Sequence, residues 1–278
     1  MSKINGVLSD KGINKSLYVI KIGGNVIDNS ENLHNFLKDF TALEGLKVLV
    51  HGGGKIATQL SETLGIEPKM VDGRRITDIE TLRVVTMVYG GLINKNIVAQ
   101  LQKSGNNAIG LTGADGNFIR AKKRPVKTID YGFVGDIDDN SIDPRNLKKM
   151  LDAGFTPVFC AITHDGDGQL LNTNADTIAS ALAVAMSEVY NTTLIYCFEK
   201  KGVLKDINDE SSLIQEINPQ QYEELKTEKI IHSGMLPKLD NAFAAISCGV
   251  KGVIIGHSDD VGKLNEDKSF GTLLSRNS

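Results

Sequence analysis

Cysteine is scarce in this sequence, and its spacing excludes two kinds of cross-linked protein. The three cysteines, Cys160, Cys197 and Cys248, are far apart, odd in number and each set in apolar sequence. Disulfide frameworks and CxxC metal sites need cysteines in closely spaced sets. The sequence therefore provides neither, and we expect the protein in a reducing compartment, the cytoplasm.

Long apolar runs and an excess of one charge are also missing. No stretch approaches the roughly 18 to 20 apolar residues that span a bilayer, and the N-terminus is polar, without the apolar core of a signal peptide. With 31 basic and 34 acidic residues the net charge is -3, which argues against general binding to nucleic acid or membrane surfaces. We expect no nucleic-acid or membrane partner, and an anionic ligand must meet a local basic site.

What the sequence does contain is an alternation of short runs rich in Val and Ile with segments of helical period. This alternation is typical of an α/β protein with a mostly parallel sheet. Strands are predicted at 18–22, 47–50, 108–111, 156–162, 193–198 and 252–255. Helices are predicted at 31–43, 56–64, 78–103, 145–153, 175–186, 219–226 and 237–248. Because the strands are apolar at nearly every position, helices should cover both faces, as in a three-layer αβα sandwich.

One segment departs from this alternation, and it lies near a predicted boundary between two lobes. Residues 118–138 carry glycines, aromatic residues and charges at strand-like spacing, which predicts a local β-hairpin excursion. No long linker rich in Pro, Gly or Ser divides the chain. The positions of the motifs suggest an N-terminal lobe, 1–154, and a C-terminal lobe, 155–278.

Glycine clusters follow the first two predicted strands. KIGGN contains Gly23 and Gly24, and HGGGK contains Gly52, Gly53 and Gly54. Ligands of parallel α/β sheets collect at the carboxyl ends of strands, and consecutive glycines let backbone N–H groups approach phosphate oxygens. Neither cluster matches GxxxxGK[ST] or GxGxxG, which disfavours P-loop and Rossmann proteins. Tight strand-to-helix turns without a ligand are the alternative reading.

Two polar residues at strand ends need separate interpretations. Lys21 closes an otherwise apolar strand, so its ammonium group must reach a carboxylate or a ligand anion, or extend along the surface to water. His51 precedes the glycine triple, and we interpret it as a packed or hydrogen-bonded histidine without a catalytic task.

Six ordered motifs show a family resemblance that covers the chain from Tyr18 to the terminal GTLLS. The motifs are KIGGN, VLVHGGGK, DGRRIT, GLTGADG, LLNTNADTIASALA and SGMLPKLDNA. Together they resemble the N-acetylglutamate kinases of the amino-acid kinase family. The resemblance implies transfer of the γ-phosphoryl group of ATP to the side-chain carboxylate of N-acetyl-L-glutamate. The product is N-acetyl-L-glutamyl 5-phosphate, in the arginine (ornithine) pathway.

The implied reaction needs charge stabilisation more than proton transfer. A carboxylate is already ionised at pH 7, so no general base is required, and alignment and neutralisation of phosphoryl charge suffice. The resemblance makes Lys21 and Lys238 the stabilising cations and Asp176 the carboxylate that orients them. Mg²⁺ is expected with the nucleotide, without a dedicated protein metal site.

The resemblance also implies the remaining contacts. Amides of both glycine loops would hold phosphoryl oxygens, and the second loop would also lie near the reacting carboxylate. Arg75 would bind the substrate α-carboxylate, and Asn172 would bind its amide and carboxylate end. The expected ATP and phosphate residues are Gly23, Gly24, Gly52 and Gly202, and the expected substrate residues are Gly53, Gly54, Arg75 and Asn172. Taken singly, Asp176 and Asn172 also fit the roles of helix-terminal acid and cap.

Two departures from the family pattern affect these expectations. FEKKG stands where many relatives carry a Ser/Thr-Asp-Val-Asp/Ser-Gly sequence, which puts the adenine and ribose contacts in doubt while Gly202 keeps the turn. Arg74 adds a second arginine beside Arg75, where many relatives have one. A solvent-facing Arg74 is the simpler reading. The other is an acyl group with its own carboxylate, so that N-succinyl-L-glutamate is the alternative substrate.

The resemblance leaves other readings of assembly and function to be weighed. Relatives inhibited by arginine have a long apolar N-terminal helix and a distinctive C-terminal signature. Here mostly polar residues precede the first strand, so we expect an arginine-insensitive homodimer built through helices such as 78–103. Carbamate, glutamate 5- and uridylate kinases share the fold, but DGRRIT and LLNTNAD point away from them. A non-catalytic amino-acid-sensing module is disfavoured because Lys21, Asp176 and Lys238 occur together.

Overall fold

The fold is built on one large sheet, which a computed structural model shows for residues 15–71, 74–231, 235–266 and 270–276. In this part of the chain, eight strands form a sheet in the order β12-β14-β13-β11-β1-β2-β8-β5. The strands are β1 (Ser16–Ile22), β2 (Leu46–His51), β3 (Met70–Val71), β4 (Arg74–Arg75), β5 (Ala108–Leu111), β6 (Lys122–Lys123), β7 (Gly135–Asp136), β8 (Thr156–Cys160), β9 (Ile162–His164), β10 (Leu170–Asn172), β11 (Asn191–Phe198), β12 (Glu216–Ile217), β13 (Gly252–His257) and β14 (Thr272–Leu274). All pairings between β11 and β5 are parallel, as predicted.

Several of the helices begin at a residue whose side chain caps the first turn. The α-helices are α1 (Gly24–Ile27), α2 (Ser30–Ala42), α3 (Gly54–Thr63), α4 (Ile79–Val85), α5 (Asn94–Lys103), α6 (Pro144–Asp152), α7 (Ala175–Ser187), α8 (Pro219–Thr227) and α9 (Leu236–Ser247). The Asn29 side chain accepts from two backbone N–H groups of α2, and Asn218 forms a capping box with Gln221 at α8. Such caps satisfy N–H groups that lack a partner inside the helix.

Strand register places the glycine clusters side by side. Ile22 of β1 pairs with His51 of β2 and with Cys197 of β11, and His51 pairs with Cys160 of β8. Because these strands are parallel, the segments that follow them emerge at one edge of the sheet. The loops after β1 and β2 are therefore neighbours.

The core lies on both faces of the central strands, because helices cover the sheet on each side. Every residue of β8 is buried, and successive residues from Val19 to Ile22 of β1 are buried, which requires cover on both faces. Helices α6 and α9 both contact α7, and all three contact the sheet, while α2 packs on α5 and on the 3-10 helix Ser258–Glu266. The predicted three-layer αβα class is confirmed.

Details at element boundaries differ from the predictions. The predicted strand 156–162 breaks after Cys160 into β8 and β9, and β9 leaves the main sheet to pair with β10. The predicted helix 78–103 contains a π-helical segment, Thr86–Ile93, between α4 and α5. The hairpin excursion is present but short, with β6 pairing antiparallel to β7. The sheet edge made by β12 and β14 was not predicted, because both strands are too short to give a pattern.

The lobe boundary and the membrane expectation concern the whole chain. The division at 154/155 falls between α6 and β8 and stays a prediction, since one sheet runs through both halves. In the described ranges, the helices are too short or too polar to cross a bilayer. The N-terminal segment before residue 15, used above for the homodimer expectation, lies outside the described residues.

Candidate active site

Lys21 and Asp176 form an ion pair at the edge of the sheet where the parallel strands have their carboxyl ends. Lys21 is next to last in β1, and only 9% of its surface is exposed. Its Nζ lies 2.8 Å from Oδ1 of Asp176. Of the alternatives for this lysine, the structure selects the carboxylate contact, as expected for an ammonium group withdrawn from water.

Asp176 is held by the first turn of α7. The Asn174 side chain caps this helix and accepts hydrogen bonds from the backbone N–H groups of Asp176 and Thr177, at 2.8 and 3.1 Å. The cap fixes the first turn, and the positive end of the helix dipole favours a carboxylate there. Asp176 thus combines a helix-terminal position with a charged partner.

Lys238 approaches the same place from α9. Its Nζ lies 3.7 Å from the centre of the Phe198 ring, and Nζ of Lys21 lies 5.5 Å from the same centre. Burial lowers the pKa of Lys238, the charge of Lys21 lowers it further, and the carboxylate of Asp176 opposes both. The structure therefore brings Lys21, Asp176 and Lys238 together, around an aromatic ring that the sequence reasoning did not assign.

The first glycine loop lies directly beside Lys21. A Cβ atom at Gly23 would lie 3.2 Å from Oδ1 of Asn25 and 3.9 Å from Nζ of Lys21, and one at Gly24 would lie 3.2 Å from Oδ2 of Asp28. The loop is thus backbone without side-chain bulk next to an ammonium group. Such a surface can approach an anion closely.

The side chain of Ile93, in the π-helical segment between α4 and α5, packs against the second glycine loop. Gly53 has a φ of +147°, and a Cβ atom there would lie 2.1 Å from Cδ1 of Ile93. Gly52 lies against the start of α7, where a Cβ atom would be 3.8 Å from Cβ of Ala175. Glycine is required at position 53 by both conformation and space.

Arg75 and Asn172 lie beside the second glycine loop and are linked to each other. Arg75 Nη2 donates to the Gly54 carbonyl at 3.0 Å and to Oγ1 of Thr58 at 2.7 Å. Thr77 Oγ1 donates to the Arg75 carbonyl at 3.3 Å and accepts from Nδ2 of Asn172 at 3.0 Å. The predicted substrate residues thus form one connected group.

One part of the Arg75 guanidinium is left without a partner. Arg75 is 9% exposed, and its Nη1 is buried with no hydrogen-bond partner among the described residues. A buried unpaired donor of a charged group is costly. Nη1 is therefore available for an anionic ligand.

Two of the motifs are described only in part. Asp72 and Gly73 of DGRRIT, and Ser233 and Gly234 of SGMLPK, lie outside the described residues.

Gly202 lies away from the lysine pair, in the wall of a cavity of about 450 Å³. A Cβ atom at Gly202 would lie 2.6 Å from both Cδ1 of Leu213 and Oγ1 of Thr272, so the turn needs glycine. Met235, three residues before Lys238, lines the same cavity. The cavity therefore adjoins the start of α9.

His51 is a fully buried, hydrogen-bonded histidine, as interpreted from the sequence. Its Nε2 lies 3.1 Å from Nδ2 of Asn94, which also donates to the Val158 carbonyl at 2.9 Å. Nε2 must therefore accept, and Nδ1 carries the proton, which it donates to the Gly52 carbonyl at 2.9 Å. Burial lowers the pKa of His51 to about 4. Asn94 was missed because nothing in its helical context marks it.

This histidine predicts a loss of stability in mild acid. The unfolded chain binds the His51 proton below pH 6.5, and the folded chain binds it only near pH 4. The free energy of unfolding should therefore fall as pH drops between these values, by about 3 kcal/mol from this group. Urea unfolding of the wild type and of His51→Gln at several pH values gives the free energy of unfolding as a function of pH. The difference between the two slopes measures the contribution of His51. A His34→Gln control, at an exposed position, should keep the wild-type slope, and parallel curves for wild type and His51→Gln would refute the assignment.

Comparison with known proteins places this geometry in a family. A profile described as "Amino acid kinase family" matches residues 16–257. The chain is 58% identical to a Cytophaga hutchinsonii protein named acetylglutamate kinase, over 95% of this chain and 100% of that one. A Phocaeicola vulgatus protein of the same name is 56% identical over 87% of this chain and 93% of its own.

The solved structures agree at the level of fold. N-acetylglutamate synthase from Neisseria gonorrhoeae, complexed with coenzyme A and N-acetyl-glutamate, superposes with a TM-score of 0.79 at 21% identity, over 96% of this chain and 61% of that one. At this identity the likeness concerns the fold alone. The profile match and the 58% identical relative together decide the matter: the chain belongs to the amino acid kinase family.

Proposed function

We propose that this protein is an ATP-dependent kinase that phosphorylates the side-chain carboxylate of N-acetyl-L-glutamate to N-acetyl-L-glutamyl 5-phosphate, a step of arginine biosynthesis. The observation that carries the proposal is the convergence of Lys21, Asp176 and Lys238 beside two glycine loops. Relatives named acetylglutamate kinase, similar over nearly the whole chain, support the choice of substrate.

In the proposed reaction a carboxylate oxygen of the substrate attacks the γ-phosphorus as the bond to the bridging oxygen of ADP breaks. The attacking group is already ionised, so no side chain has to remove a proton. Lys21 and Lys238 neutralise charge on the transferring group, and Asp176 orients their ammonium groups. Amides of Gly23, Gly24 and Gly52 donate to phosphoryl oxygens.

The substrate would lie between the second glycine loop and Asn172. The unpaired Nη1 of Arg75 offers a charge-assisted hydrogen bond to the α-carboxylate. Asn172 would contact the amide end, and Gly53 and Gly54 would approach the reacting carboxylate. This arrangement assigns acylglutamate binding largely to the N-terminal lobe, 1–154.

The nucleotide would occupy the C-terminal lobe, 155–278. The cavity lined by Gly202, Lys200 and Met235 is large enough for an adenine ring and lies next to the helix that carries Lys238. Among the described residues no group of three His, Cys, Asp or Glu side chains is placed to hold a metal ion. Mg²⁺ is therefore proposed as a partner of the ATP phosphates, where it neutralises charge, and no protein ligand is assigned to it.

The proposed assembly is a homodimer in the cytoplasm. Ile79, Met87 and Leu92, on the helical stretch that begins with α4, are large apolar residues with 44%, 53% and 53% of their surface exposed. Exposed apolar side chains of this size are suited to contact with a second copy of the chain. Light scattering should give twice the chain mass, and added arginine should not inhibit. A hexamer, or inhibition by arginine, would refute the proposed homodimer.

The free thiols at positions 160, 197 and 248 suit a reducing compartment such as the cytoplasm.

An assay of acyl phosphate formation tests the function. The product reacts with hydroxylamine, so ATP-dependent hydroxamate formation across a panel of N-acylglutamates and free amino acids reports both activity and acceptor. We expect hydroxamate with N-acylglutamates and none with free glutamate. No hydroxamate with any acylglutamate, or equal rates with free amino acids, would contradict the proposal.

A second candidate substrate, N-succinyl-L-glutamate, is favoured by one feature. A cavity of about 590 Å³ near Asp176 is lined by Arg74, Arg124, Lys127 and Thr177. Arg124 pairs with Asp136 through Nε and Nη2, while its Nη1 is buried without a partner among the described residues. Positive charge and an unpaired donor suit the terminal carboxylate of a succinyl group.

The two substrates can be separated by comparing them in one assay. If the cavity binds the acyl carboxylate, kcat/KM is higher for N-succinyl- than for N-acetyl-L-glutamate. Arg74→Ala then lowers the succinyl value by roughly tenfold, the effect of about 1.4 kcal/mol, and leaves the acetyl value unchanged. A clear preference for the acetyl compound would eliminate the second candidate. The acetyl substrate serves as the internal control.

A further inference from the structure

Tyr89 lies in an unusual piece of helix beside the proposed substrate site. The π-helical segment Thr86–Ile93 interrupts the helix that runs from α4 into α5. Such wider turns are rare and often occur at functional sites, because they change which side chains face inward. Tyr89 and Ile93 are buried residues of this segment, and Tyr89 is 5% exposed. None of the family motifs includes this residue.

The Tyr89 ring packs on the second glycine loop. A Cβ atom at Gly53 would lie 3.2 and 3.3 Å from Cδ1 and Cε1 of Tyr89. The next residue, Gly54, accepts the 3.0 Å hydrogen bond from Nη2 of Arg75, and a Cβ atom there would lie 4.0 Å from the same Nη2. The ring, the loop and the guanidinium group therefore form one contiguous cluster.

The Tyr89 hydroxyl is protonated at neutral pH and lies near the guanidinium group of Arg75. Burial raises the pKa of Tyr89, and the neighbouring guanidinium of Arg75 opposes this to a smaller extent, by its charge and by a side-chain hydrogen-bond contact with the hydroxyl. The hydroxyl is therefore a hydrogen-bond donor at neutral pH. Close by, Nη1 of Arg75 is buried and has no partner among the described residues. A carboxylate accepts several hydrogen bonds. A binding site with two adjacent donors therefore suits it better than a site with a single N–H donor.

We propose that the Tyr89 hydroxyl donates a hydrogen bond to the α-carboxylate of the acylglutamate, beside the one from Nη1 of Arg75. This assignment rests on the proposed function, since it concerns the same substrate. It makes Tyr89 a substrate-binding residue.

The test combines Tyr89→Phe with a change in the substrate. Phenylalanine keeps the ring contact with Gly53 and removes only the hydroxyl. We expect the KM for N-acetyl-L-glutamate to rise roughly tenfold, equivalent to about 1.4 kcal/mol, with little change in kcat or in the KM for ATP. With N-acetyl-4-aminobutyrate, which keeps the reacting carboxylate and lacks the α-carboxylate, Tyr89→Phe should leave KM unchanged. Tyr190→Phe, which loses a hydroxyl bonded to Asp152 at 3.1 Å, is the matched control and should behave as wild type.

The outcomes separate the inference from the function on which it rests. An unchanged KM in Tyr89→Phe would overturn the assignment. Equal rises in KM for N-acetyl-L-glutamate and N-acetyl-4-aminobutyrate would overturn it too, because a purely structural effect of the hydroxyl does not distinguish them. Failure of the unaltered protein to phosphorylate any acylglutamate would instead overturn the proposed function, and this assignment with it.

Discussion

Replacing Lys238 by alanine is expected to lower kcat by about a hundredfold or more, in line with the loss of one preorganised charge stabiliser worth roughly 3 kcal/mol. The effect should be large because Nζ lies over the Phe198 ring at 3.7 Å, partly removed from water, where a positive charge acts strongly on a phosphoryl group. The KM values for ATP and acylglutamate should change less, since the charge matters most in the transition state.

A lysine far from the site supplies the control. Lys251 is exposed in the turn before β13, and Lys251→Ala removes the same chemical group without touching the cluster. Its kcat should equal that of wild type. Steady-state hydroxamate assays on both variants, with thermal unfolding to confirm folding, measure the difference. Wild-type turnover in Lys238→Ala would reject its role.

Asp176→Asn is expected to cost about as much in kcat, through the two lysines and not through proton transfer. The amide keeps the shape of the side chain but removes the charge that pairs with Lys21 at 2.8 Å. The Asp176 carboxylate also raises the pKa of Lys238 against burial, so removing it should lower that pKa further. The alkaline fall of kcat, caused by loss of the Lys238 proton, should therefore move to lower pH in the variant.

A second acidic residue tests whether any acid at a helix start would give this result. Glu31 lies in the first turn of α2, exposed and away from the cluster, so Glu31→Gln removes a comparable helix-dipole interaction. Its kcat and pH profile should match wild type. If Asp176→Asn also matches wild type in both, the orienting role is wrong and Asp176 is only a helix-terminal acid.

The main elements of the fold could be predicted because burial leaves a strong mark on the sequence. The Val- and Ile-rich run of β1 and the uninterrupted apolar stretch of β8 can belong only to strands covered on both faces. The antiparallel pair of β9 and β10 could not be predicted, because each has three residues and is indistinguishable from the strand before it or from a loop. The π-helical segment was not predicted either, because the apolar helical period continues through it without a break.

Residues of the candidate site could be predicted from the sequence where a side chain's chemistry is unusual for its position. A lysine at the end of a buried strand needs a partner, which the residues alone left open. The family resemblance implied Asp176, and the structure shows this pair at 2.8 Å. Phe198 and Tyr89 were not accessible in this way. Aromatic residues in apolar sequence are typical of the core. Only the three-dimensional arrangement places one ring within 3.7 and 5.5 Å of two ammonium groups and the other ring on Gly53.

The central claim is that cations and backbone donors from two lobes converge on one migrating phosphoryl group. A crystal structure of the protein with ADP, Mg²⁺, aluminium fluoride and N-acetyl-L-glutamate tests this most directly, because the fluoride complex occupies the position of the transferring group. The account predicts Nζ of both Lys21 and Lys238, and an amide of the first glycine loop, at hydrogen-bond distance, about 3 Å, from the fluoride or bridging oxygen atoms. A complex bound elsewhere, or with either ammonium group directed away from it, would contradict the account.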